Sequence, residues 1–290
     1  MRFFFLLLVS LLLTSCLSSE SRYSETSASS KVTAISQDVS LEVIDRYIDA
    51  AKLLNNNDKN EVRRGISDLR ELGSNELPIA NELADFAVFR YLDSNESNKD
   101  SAEKFASRAR EAWRYSVMVP PGSAGNTIDF SALQILPESM DEIVIQWIAS
   151  RADEINPPFF FEAYRRLVPE NLEEGFYWMN VGLARARYEV ERCGDPSLGD
   201  LPLLWKGIAA GKLDKNNKEK YFPFMVRSME RIVEEWETIV PINMKVWQYC
   251  TGNMPFIKEN KIPIDAWTEA NHNLREKYEK ATKKAENRLN

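Results

Sequence analysis

The sequence predicts an all-α fold, a multi-helix array or bundle of about ten helices. Three observations predict it. From about Asp38 onward, apolar residues recur every three or four positions, the spacing that gives a helix one apolar face. No stretch alternates with period two over more than a few residues, as a half-buried strand would. The breaks between periodic stretches are short and carry Asn, Gly or Pro, residues that stop helices. With 44% hydrophobic and 28% charged residues, the chain has the balance of a globular protein that buries a sizeable core.

Taken in order, Val39, Val43, Tyr47, Ala50, Ala51 and Leu54 form the first stripe, which stops at Asn55-Asn56-Asn57. Val62, Ile66, Leu69 and Leu72 make a second helix, for which Gly73 is the expected C-cap. A third runs from about Leu77 to Leu92 and a fourth from about Asp100 to Val117. Pro120-Pro121-Gly122 then breaks the chain, and a subdomain boundary is expected near 118–128. Ser139 and Glu142 have capping-box spacing before Ile143, Val144, Trp147, Ile148 and Ile155. Asn156-Pro157-Pro158 ends that helix, and Phe159 to Val168 forms a short aromatic one. Asn171 and Glu174 are placed to cap the next helix, with apolar positions Leu172, Phe176, Met179, Leu183, Ala186 and Val190. A short helix from about Leu201 to Ala210 ends at Gly211. Phe224 to Val240 and Asp265 to Ala285 complete the series.

The N-terminus has a different composition. Arg2 precedes an apolar run from Phe3 to Leu13, about eleven residues, whereas a membrane-spanning helix takes roughly twenty. That length suits a cleaved export signal, residues 1–15. The next residues, Leu13-Thr14-Ser15-Cys16, resemble the lipobox of bacterial lipoproteins: an aliphatic residue, two small residues, then cysteine. The resemblance implies a diacylglyceryl group on the Cys16 thiol, cleavage before Cys16 and acylation, such as palmitate, of its amine. Several acyl chains hold firmly, at about 0.8 kcal/mol per buried methylene. Leu17 follows the cysteine where that family's inner-membrane retention signal has aspartate, which favours the periplasmic face of an outer membrane. Residues 16–37 are then the lipidated N-terminus and a serine-rich tether, too poor in apolar surface to fold alone, and residues 38–290 are the helical domain.

Two helical-repeat families are faintly echoed. Ala102-Glu103-Lys104-Phe105-Ala106, with Ala109 and Ala112, resembles the second helix of a tetratricopeptide hairpin. Ala163-Tyr164, Leu167, Glu174-Gly175 and Trp178 resemble a Sel1-like repeat with a shorter loop than that family has. A repeat-like array is the architecture these resemblances imply, although no fixed period recurs.

The charges and reactive residues exclude several chemistries. A net charge of −7 opposes nucleic-acid binding, which needs a basic face to displace counterions. The lone histidine, His272, excludes multi-histidine zinc sites, and no cofactor motif occurs. With Cys16 carrying lipid, Cys193 and Cys250 remain as an even pair, and in an oxidising compartment a disulfide is expected. Closing that loop of about 57 residues contributes roughly 4 kcal/mol in the chain-entropy model. Arg165, Arg185, Arg187 and Trp178 are the candidate contacts for a partner or ligand, against the plainer reading of internal ion pairs and core packing. Arg185 and Arg187 diverge by about 200° around their helix, so one of them faces inward. The expected function is a membrane-anchored envelope lipoprotein whose helical body binds or scaffolds another envelope protein, without a recognisable catalytic site. The alternative is a cell-wall glycan-cleaving enzyme using an acidic residue. An acidic residue in a deep, aromatic-lined cleft distinguishes the enzyme; a broad groove without a buried carboxylate distinguishes the binder.

Overall fold

The computed structural model describes residues 39–92, 99–113, 128–168, 170–193, 218–244 and 263–289. Eleven α-helices and no strand occur among them. They are α1 (Leu41–Leu53), α2 (Lys59–Asn75), α3 (Ile79–Ala87, continued by a π-helical turn Val88–Leu92), α4 (Lys99–Trp113) and α5 (Ile128–Gln134). A 3₁₀ turn (Glu138–Met140) leads into α6 (Asp141–Ser150), followed by α7 (Pro157–Leu167), α8 (Leu172–Cys193), α9 (Lys218–Glu234) and α10 (Trp236–Ile239). A second 3₁₀ turn (Ile264–Ala266) opens α11 (Trp267–Leu289). The export signal, Cys16, the tether, the 118–127 break, the 201–210 helix with Gly211, and Cys250 lie outside the described residues.

Successive helices pack side by side from α1 to α5, and α5 returns against α1. α6 also lies on α1 and hands the chain to α7; α8 then packs against α7, α9 and α11. These elements belong to one compact unit, Asp38–Asn290. One main core takes side chains from all eleven helices. A smaller aromatic cluster of Phe161, Tyr164, Val168, Phe176, Met179 and Leu183 fills the space between α7 and α8, with Tyr221, Phe224 and Met225 of α9 against it.

The stripes of the first helices are where periodicity places them: Val43, Tyr47, Ala50, Ala51 and Leu54 on α1, and Val62, Ile66, Leu69 and Leu72 on α2, are buried. Ser40 caps α1, accepting from the Val43 N–H at 3.4 Å. Asn171 caps α8 as its sequence position suggests, its Oδ1 accepting from the Glu174 N–H at 3.2 Å.

Four local expectations are corrected. Gly73 does not end α2, which continues to Asn75. A Cβ there would lie 2.4 Å from Asn81 Cγ, so Gly73 is needed for close approach of α3, not for a left-handed cap. Ser139 makes no capping box; it lies in the 3₁₀ turn, and Met140 precedes α6 without a side-chain cap. α9 opens at Lys218, with Pro223 inside it. As the sixth residue of the helix, this proline lies past the unpaired first-turn donors and forgoes the bond an N–H there would make to the Glu219 carbonyl. Finally, α5 occupies the stretch after the Pro-Gly break, and all seven of its residues are buried.

Candidate functional site

The arginine-rich elements meet the core, not solvent. On α7, Glu162 is fully buried, and Arg165 and Arg166, three and four positions on, share its face. Arg165 Nε donates to Glu162 Oε2 at 2.6 Å and Arg166 Nε to Oε1 at 2.8 Å. Arg166 also pairs with Asp141 at the start of α6. Its Nη2 donates to the carbonyls of Leu133 and Leu136 at 2.9 and 3.1 Å. One guanidinium thus faces two carboxylates and adds a donor to two carbonyls at and just beyond the C-terminal end of α5, of which Leu133 O also accepts from Leu136 N–H at 3.3 Å. Burial pushes the Asp141 carboxyl above the usual range, against the opposing pull of Arg166.

On α8, Arg185, Tyr188 and Arg192 share a face at spacings of three and four. Each holds a carbonyl of the chain that follows α9. Arg185 Nε donates to Ile239 O at 2.6 Å, Tyr188 Oη to Ile242 O at 2.8 Å and Arg192 Nη1 to Met244 O at 2.5 Å. Arg185 also donates to Ala152 O and reaches the exposed Asp153 at 3.3 Å. Burial holds its guanidinium below the ordinary arginine range. The Arg192 guanidinium lies 4.5 Å from the ring centre of Tyr188 and 4.7 Å from that of Trp267.

Of the four residues singled out as contacts, the fold brings two together. Trp178 stacks on Phe160 at 5.7 Å with the rings 2° apart, and Arg185 lies 5.1 Å from the centre of the same ring. Arg165 stays with Glu162, and Arg187, half-buried, lies over Tyr278 of α11 at 5.5 Å. Arg185 is the member of its pair that faces inward, and carbonyls are its main partners. Arg185 spends its polar capacity on joining helices, Arg165 on a pair within its own. Sequence reading does not single out Arg192 or Asp45. Asp45 accepts from Trp147 Nε1 at 2.6 Å and Arg151 Nε at 3.1 Å, tying α1 to α6.

An open concavity lies between α1 and α2. Its floor is Ala50, Leu53 and Leu72, and its volume is about 390 Å³. Positions 46, 49, 50 and 53 of α1 and 64, 68, 71 and 72 of α2 supply the lining, each set a single helical face. The helices touch at Gly65, where a Cβ would lie 2.7 Å from Ala50 O and 3.0 Å from Leu53 Cβ. Asp49, Asp68 and Glu71 supply three carboxylates. Arg46 is held by Glu76 at 2.7 Å and reaches Glu71 of the lining at 3.8 Å, and Arg64 is held by Glu61 at 2.6 Å. The lining has no aromatic residue.

His272 is exposed and lies 3.3 Å from Glu276. Among the described residues, no group of three His, Cys, Asp or Glu side chains is placed to hold a metal ion. No described helix is long and apolar enough to cross a membrane. No family model, no curated protein and no solved structure matches the chain.

Proposed function

We propose that the chain is a lipid-anchored protein of the bacterial cell envelope, held through Cys16, whose helical body binds another envelope protein. The observation that carries the anchor is Leu13-Thr14-Ser15-Cys16 at the end of an apolar run too short to span a bilayer. A favoured site is the periplasmic face of the outer membrane. Binding is preferred to glycan cleavage because the buried Glu162 is committed to two arginines, while the α1–α2 groove is shallow, charged and without aromatic rings.

A Cys193–Cys250 bridge belongs to the same reading, as the even pair left when Cys16 carries lipid. Cys193 closes α8 directly after Arg192, which holds the Met244 carbonyl. Six residue steps from Met244 to Cys250 reach at most about 20 Å, enough to return to that helix end. Peptide mapping without reduction is expected to recover the linked pair; alkylation of both thiols in unreduced protein would exclude it.

The anchor is tested by growing cells with a fatty-acid analogue and comparing the chain with Cys16→Ala. Label is expected in the first and absent from the second; equal label in both sinks the reading. Lysine-reactive crosslinking in intact cells, read by mass spectrometry, is expected to capture the same envelope protein in replicate experiments.

A further inference from the structure

The groove between α1 and α2 is formed by a hairpin of two helices joined through residues 54–58. Gly65 lets the helices touch near that joint. Along the groove, an apolar floor lies beneath charged walls. Its two arginines are held by Glu61 and Glu76 from outside, and Arg46 makes a second, exposed pair with Glu71 at 3.8 Å. Asp49 is engaged only by Lys52 of its own helix at 2.8 Å, in a pair whose members are 71% and 54% exposed. Such an exposed local pair is weak and readily exchanged for another cation. What the groove offers a visitor is therefore aliphatic surface at its base and negative charge at its rim. The complementary shape is a lysine or arginine side chain, whose apolar stem lies along Leu53 and Leu72 while its head meets Asp49, Asp68 and Glu71.

We propose that this groove is a docking site for a basic segment of a partner protein confined to the same membrane surface. The proposal rests on the reading of the chain as a lipid-anchored binding protein and names the site and the partner's chemistry. Its magnitude explains why confinement belongs to it. Exposed charge pairs over a small apolar floor support only millimolar affinity. Partners held together by flexible tethers meet at effective concentrations in that same range, so a weak groove becomes occupied without further contacts. Free in solution, the same groove would stay empty.

The first test uses the full-length chain in detergent micelles with methyl-labelled Ala and Leu. The probe is Nα-acetyl-lysine methylamide, and Nα-acetyl-glutamate methylamide is the control. The lysine probe is expected to give saturable shifts of the Ala50, Leu53 and Leu72 methyls. Its apparent affinity should weaken about two- to tenfold in D49N/D68N, two exposed substitutions that leave the remaining methyl spectrum in place. Absence of saturation, an equal response to the glutamate probe, or an unchanged affinity in D49N/D68N overturns the site. The second test crosslinks cells carrying each version. Reduced capture of a partner by D49N/D68N, with a carbodiimide link from Asp49, Asp68 or Glu71 to a partner lysine, supports the proposal. Equal capture by both versions overturns the groove and leaves the binding reading standing. Capture of no reproducible partner by either overturns the binding reading itself.

Discussion

α2 and α8 both carry abundant charge, yet they use it in opposite ways. α2 buries one narrow stripe, Val62, Ile66, Leu69 and Leu72, and leaves Arg63, Arg64, Asp68, Arg70 and Glu71 exposed. α8 is buried around its circumference from Gly175 to Ala186, and further along it buries Tyr188, Glu189 and Arg192. α2 has neighbours on part of its surface; α8 is packed against α7, α9, α10 and α11. A charge on the first helix is solubility. A charge on the second must find a partner inside, because an unpaired buried ion costs far more than a paired one. The number of neighbours, not the residue type, decides what an arginine does.

Arg166 is where that difference has the largest expected effect. Arg166→Met leaves the Leu136 carbonyl without this donor and the Leu133 carbonyl with only the Leu136 N–H, and leaves Asp141 and Glu162 short of a cation. The expected loss is about 3–5 kcal/mol, read from the shift of the denaturant midpoint. The matching change on α2, Arg64→Met at a side chain 60% exposed, is expected to stay within about 0.5 kcal/mol. Equal effects at the two sites would erase the distinction drawn between the helices.

Glycines extend the comparison by a smaller amount. Gly65 on α2 faces backbone: its Cβ would come within 2.7 Å of Ala50 O. Gly182 on α8 has its nearest neighbours, Phe160 Cβ, Phe161 Cε2 and Pro157 O, at 3.2 Å. Gly65→Ala therefore forces α1 and α2 apart and is expected to destabilise by about 1–3 kcal/mol. Gly182→Ala needs shifts of only a few tenths of an ångström and gains helix propensity, so its cost should be smaller. Thermal midpoints in the reverse order would mean that the α1–α2 contact is softer than its geometry.

The same contrast explains what could be read from the sequence. α1, α2 and α3 are legible because a helix exposed on one side must alternate apolar and polar residues with its own period. α5 is not, because all of Ile128 to Gln134 is buried and carries no period at all. Asp129, Ser131 and Gln134 interrupt its apolar positions, although each is buried. Gly73 reads as a cap because glycine at the end of a stripe fits both a left-handed turn and a close contact. Asn171, by contrast, is correctly read as a cap, because that bond closes within three residues and needs no tertiary knowledge. Arg165 and Arg185 stand out in sequence as charges among aromatics, but their partners, Glu162 apart, lie on other elements. The α1–α2 groove is invisible in either helix alone, since each contributes half of it.

The smallest predicted effect separates two half-buried carboxylates by sign. Asp45 on α1 is pushed up by burial, but hydrogen bonds from Arg151 and Trp147 prevail and hold it below the usual aspartate range. Asp141 on α6 is pushed above that range by burial, despite Arg166. The unfolded value for both is about 3.9. Asp45 binds its proton less readily when folded, so its contribution is complete above that value and is lost as pH falls through its lower folded value. Asp141 binds its proton more readily when folded. Its ionisation therefore weakens the fold above its raised value, and acidification toward about 3.9 relieves that loss. Stability followed by urea midpoint from neutral pH down to about pH 3 is expected to change slope differently in the two variants. Asp45→Asn should flatten the acid limb below about pH 4 by about 1 kcal/mol or less, as suits a pair whose arginine is 38% exposed. Asp141→Asn should remove the gain on approaching that limb from above, whatever its effect on absolute stability. If both variants altered the same limb, one environment would govern the two carboxylates, and the distinction between a carboxylate ruled by its hydrogen bonds and one ruled by desolvation would fail.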